Sequence, residues 1–114
     1  VMVFEAVVFL PSKPTTELMW GAVCSQAPET NALEYADGTV QFMESDGTPF
    51  LSVFPARPIN DATEVGWFIA QDAPAFAFWL DVVIPDPVRE KGLRAAACIA
   101  VGLHGTMRYR EATA

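Results

Sequence analysis

The chain opens on a run of Val and Phe, residues 2–10, that ends at Pro11. Its length and β-branched content predict a strand buried on much of both faces. Pro11 and Pro14 make a rigid connector. Thr15 or Thr16 then stands where a helix cap belongs, with Glu17 in the first turn near the positive end of the helix dipole. That helix runs to about Ser25 and stops before Pro28. Leu18, Met19, Ala22 and Val23 form its core stripe, widened by Trp20 and Cys24.

Two Asp-Gly pairs follow, Asp37-Gly38 and Asp46-Gly47, each between runs of alternating residues. Asp-Gly favours positive φ and is a strong hairpin signal. Strands are predicted at 32–36, 39–44 and 49–54. With two-residue loops, Tyr35 opposes Val40, Leu33 opposes Phe42, Phe42 opposes Leu51 and Val40 opposes Val53. Leu33, Tyr35, Val40, Phe42, Leu51 and Val53 then share the core face. The other face carries Glu34, Ala36, Thr39, Gln41 and Ser52, and also Met43, Phe50 and Phe54. Three large apolar side chains on a nominally wet face require a cover.

Residues 57–61 read as a loop, 63–70 as a strand bent at Gly66 (a short helix being the alternative), and 71–74 as a turn. Residues 75–84 read as a strand. Asp86 is placed as the N-cap of a second helix, with Pro87 at its first position. This helix runs to about Leu103, carries an i,i+4 pair of Glu90 and Arg94, and closes at His104 with Gly105 as the left-handed terminator. After Arg94 its outer positions become Ala97, Cys98 and Val101, for which the first helix or a second protomer is the expected cover. Residues 106–110 make a closing strand. Residues 7–24 and 82–98 echo one another: both run Val-Val, a proline stop, a helical Glu and a terminal Cys. The order β-α-β-β-β-(β)-β-α-β predicts one α+β domain over 1–114. It is a two-layer sandwich with a mostly antiparallel sheet and both helices on one face.

Composition narrows the function. The 114 residues are 52% hydrophobic and only 18% charged, against ~25% charged in typical soluble domains. That shortage points to a homodimer or a permanent partner. The net charge of −7 disfavours nucleic acid, whose phosphates it would repel. Between Lys13 and Arg57 there is no basic residue, while Glu17, Glu29, Glu34, Asp37, Glu44 and Asp46 fall in that window. The longest apolar run, Ala95 to Leu103, is far short of the ~20 residues of a membrane helix. No basic segment precedes an apolar one at the start, as a secretion signal would need. Cys24 and Cys98 lie in apolar helical stretches as small hydrophobes. A soluble, cytoplasmic protein is expected.

Candidate chemistry is sparse. Cys98 and His104, the only histidine, are ~240° apart around a helix and share no face. One His and two separated Cys lack zinc-site spacing. The Asp-Gly turns lack the clustered oxygens of a calcium loop, and no phosphate-cradling glycine pattern occurs. Asp81, beside Trp79 in an apolar strand, is the one carboxylate whose burial would raise its pKa. Trp67, Phe68, Phe76, Phe78 and Trp79 read as core. No catalytic residue, metal or cofactor is expected, and enzymatic activity is disfavoured.

In element order and charge the chain resembles helix-grip folds and the small acidic chaperones and immunity proteins of bacteria. The lack of a catalytic set, the acidic window without a basic residue and the apolar groups on the second face of the meander point to a protein-binding module, of the sort that neutralises or escorts a basic partner. Glu34, Met43, Glu44, Asp46, Phe50 and Phe54 are its expected contact residues, acidic groups for steering and the phenylalanines as anchors. The alternative is a homodimeric ligand-binding or small enzymatic domain, with a pocket between sheet and helices that holds Asp81 or His104. A third reading makes the apolar meander face a dimer interface.

Overall fold

The computed structural model describes residues 3–59 and 76–109. The expectation for residues 63–70 lies outside the described residues. The elements run β1 (Val3–Leu10), α1 (Thr16–Cys24), β2 (Asn31–Glu34), β3 (Val40–Met43), β4 (Pro49–Val53), β5 (Arg57–Pro58), β6 (Phe78–Pro85), α2 (Arg89–Gly102) and β7 (Thr106–Tyr109). The strands form one antiparallel sheet of order β2-β3-β4-β6-β1-β7, with β5 continuing the line of β4 along β6. β1 and β6, the strands that begin the two echoing segments, pair from Val3 opposite Pro85 to Leu10 opposite Phe78, though the register sets the echoing residues of each strand against residues outside the echo of the other. Both helices pack on one face, as expected for an α+β two-layer sandwich.

The core follows from strand and helix periods. Ala6, Val8 and Leu10 of β1 and Leu80, Val82 and Ile84 of β6 point to the helices and are buried. From α2, Gly92, Ala95, Ala96, Ile99 and Ala100 answer them, an uninterrupted i, i+3, i+4 stripe. The stripe of α1 is narrower than its sequence suggested: Met19 and Val23 are buried, but Leu18 is 58% exposed. On the opposite sheet face Val7, Phe9 and Trp79 form a smaller cluster, with Ile59 and Phe76 against it. The Arg57 guanidinium lies 5.2 Å from the Trp79 ring.

Helix ends refine the expectations. Thr15 caps α1, its hydroxyl accepting from the Leu18 amide at 3.2 Å. Asp86 does not cap α2. Residues Asp86–Val88 form a 3-10 turn, and α2 starts after Val88 with no side-chain cap bond. That end is instead stacked: Arg89 lies 4.4 Å from the Phe4 ring, whose edge meets Tyr109 at 5.4 Å. At the other end Gly105 N–H donates to Ala100 O at 2.7 Å and His104 N–H to Val101 O at 3.3 Å, a Schellman closure. The left-handed residue is His104, φ 63°, and not Gly105. A Cβ on Gly105 would stand 1.9 Å from Phe9 O, so the glycine is needed for its lack of a side chain. Beyond Arg94, Ala97 and Cys98 are half-buried, but Val101 remains 76% exposed, so α1 does not supply the cover expected there.

Both hairpins have three-residue loops. Tyr35 N–H donates to Thr39 O at 2.8 Å and Gly38 N–H to Tyr35 O at 3.0 Å. Glu44, Thr48 and Gly47 repeat this pattern at 2.9 Å each. Gly38 and Gly47 have φ of 94° and 90°, the conformation that ends such loops. In the first hairpin the extra loop residue moves the register by one, so Ala32 opposes Phe42 and Leu33 opposes Gln41. Leu33 and Tyr35 therefore turn away from the core, correcting the expected face. In the second hairpin a β-bulge at Phe50 absorbs the shift, and Phe42 still opposes Leu51 and Val40 still opposes Val53.

Candidate functional site

The bulge decides the fate of the expected anchors. Phe50 and Leu51 both stand opposite Phe42, and both are fully buried in the main core. Phe50 is therefore no surface residue: its ring lies 4.9 Å from Lys91 Nζ, beneath α2. Phe54, just past β4 where its N–H donates to Asp81 O at 2.9 Å, follows Val53 onto the outer face and is 39% exposed, whereas Met43, at the other end of the β3–β4 pair opposite Pro49, is half-buried.

What gathers on that outer face is a different set. Gln41 of β3 sits at its middle, accepting from the Tyr35 hydroxyl at 3.1 Å and donating to Ser52 Oγ at 3.4 Å. Around this polar line stand Leu33, 44% exposed, Tyr35, 46% exposed, and Phe54. Leu33 and Tyr35 were missed because alternation assigned them inward. The signal that finds them is the triplet Asp-Gly-Thr, present at Asp37–Thr39 and again at Asp46–Thr48. In each copy the Asp Oδ1 accepts the Thr amide two residues on, at 2.9 Å, which favours the longer loop. These bonds hold the Asp37 and Asp46 carboxyls below the ordinary carboxylate value, first through the Thr39 and Thr48 amides.

The acidic members of the expected set are dispersed. Glu44 pairs with Lys91 at 2.6 Å and ties the β3–β4 turn to α2. Asp46 shapes that turn. Both border a cleft of about 730 Å³ between the end of α1, this turn and α2, where Glu29, Lys91 and Arg94 also lie. Glu34 points to the helix side and accepts a hydrogen bond from the Thr16 hydroxyl. With Glu17, Asp37 and Phe54 it borders a second cleft of about 480 Å³, floored by Met19, Val40 and Leu80. Neither cleft includes Asp81 or His104, the residues the ligand-binding alternative would use.

Among the described residues no group of three or more His, Cys, Asp and Glu is placed to hold a metal ion. No helix there is long and apolar enough to cross a membrane. No family model, curated protein or solved structure matches this chain. What the outer face offers is apolar contact around a hydrogen-bonded polar line, beside an acidic hairpin.

Proposed function

We propose that this protein is a small binding module that receives a basic partner protein on the outer face of β2, β3 and β4, neutralising or escorting it. The observation behind this reading is the co-location of Leu33, Tyr35 and Phe54 on one sheet face, each more than a third exposed. Grouped apolar exposure of this kind marks interaction surfaces, and tyrosine is enriched among interface hot spots. The acidic window between Lys13 and Arg57 steers a cationic partner and speeds encounter.

The test is capture from a native extract by the wild-type chain and by a Leu33→Asp, Phe54→Asp variant. A basic protein retained by the wild type and lost by the variant, with unfolding midpoints of both chains alike, is the expected outcome. Equal retention by both chains removes the outer face from the interaction. A wild-type chain that sediments as a dimer, and a variant that sediments as a monomer, assigns the face to self-association instead.

A further inference from the structure

Strand β2 ends the sheet among the described residues, so its far side has no neighbouring strand there. Its backbone pattern can be read from the hairpin. Tyr35 N–H bonds Thr39 O across the turn, which makes Tyr35 a ladder position. Antiparallel pairing alternates, so Leu33 and Asn31 also direct their N–H and C=O toward β3. Ala32 and Glu34 then direct theirs away from the sheet. The preceding outward carbonyl, Thr30 O, is already occupied by the Trp20 indole N–H at 2.7 Å. Two successive outward donor–acceptor pairs remain, at the spacing one added strand satisfies.

Natural sheets protect such edges with proline, lysine or a bulge. Residues Asn31–Glu34 contain no proline and no lysine, and their pairing with β3 has no register shift. The side chains divide by face, with Leu33 on the outer side and Glu34 on the helix side, flanked by Glu29 and Asp37. We propose that β2 is a site of strand addition for an extended segment of the basic partner, in which apolar residues alternate with Lys or Arg. The apolar side chains of that segment join Leu33 and Tyr35, and its cations lie along Glu34. The inference rests on the basic-partner reading and assigns the chemistry of the partner's docking segment.

The probe is a synthetic seven-residue peptide alternating valine and lysine, compared with a peptide of the same composition in block order. The alternating peptide is expected to bind about tenfold more tightly, in line with added backbone hydrogen bonds. It should also protect the Ala32 and Glu34 amides from hydrogen exchange. Glu34→Pro removes one outward N–H while leaving the β3 ladder its donors, and should weaken binding about tenfold. Equal binding of both peptides, or none, overturns strand addition. So does protection of the same amides in a dimer without peptide. If Leu33→Asp, Phe54→Asp abolishes capture of a basic protein and Glu34→Pro does not, the outer-face reading stands and strand addition falls. If the alternating peptide protects the two amides while capture is indifferent to Leu33 and Phe54, strand addition stands and the outer-face reading falls.

Discussion

Phe50 and Phe54 belong to one stretch of chain and look interchangeable as apolar residues, yet one is wholly buried and the other 39% exposed. Strict alternation puts both on the outer face. The bulge at Phe50 sends the first into the core, where its carbonyl and ring meet α2. Phe50→Ala should therefore cost about 3–5 kcal/mol, read from urea midpoints, whereas Phe54→Ala should cost less than about 1 kcal/mol. Comparable losses for the two would contradict the bulged register. The helix end teaches the same lesson at His104 and Gly105. Glycine is the expected left-handed residue, but the contact with Phe9 O claims the glycine for the next position, and His104 takes the strained conformation.

For the elements, alternation and Asp-Gly signals located the meander, while loop length decided what it presents. One extra residue in the first loop rotates β2, so the large side chains face out and Ala32 and Glu34 face in. Composition could not distinguish two-residue from three-residue loops, because Asp-Gly serves both. The side-chain bonds of Asp37 and Asp46 made the choice. These bonds carry a pH signature. Both carboxyls titrate below their ordinary value of 3.8 in the folded state. A depressed folded pKa stabilises the protein above the unfolded value and loses that contribution as pH falls through the folded one. The wild type should therefore exceed an Asp37→Asn, Asp46→Asn variant in denaturant midpoint at neutral pH, and the gap should close below about pH 3.8. A gap unchanged in acid would show that the charges do not hold the loops.

At the scale of the molecule, the distance between sheet and helix layer is set at Gly92. A Cβ there would fall 2.3 Å from Ile84 Cγ2 and 2.5 Å from Phe50 O. Helix propensity alone favours Gly92→Ala by about 1 kcal/mol. The overlap with a backbone oxygen should reverse the sign and lower stability by about 1–3 kcal/mol or more, measurable as a fall in the unfolding midpoint. A stabilised Gly92→Ala would mean that α2 stands farther from β4 and β6. The sequence by itself determined the order of the main strands and helices, the pairing of Phe42 with Leu51 and the acidic stretch around β2, but it read β5 as a loop and counted Leu18 into the buried stripe of α1. What it determined follows from local propensity, hydrophobic period or charge. Only the tertiary structure decided which apolar residues reach the surface, because that choice depends on one-residue register shifts and on close approaches between elements distant in sequence. The outer face of Leu33, Tyr35 and Phe54 exists for that reason: its members are apolar in the sequence, and the loop geometry turns them outward.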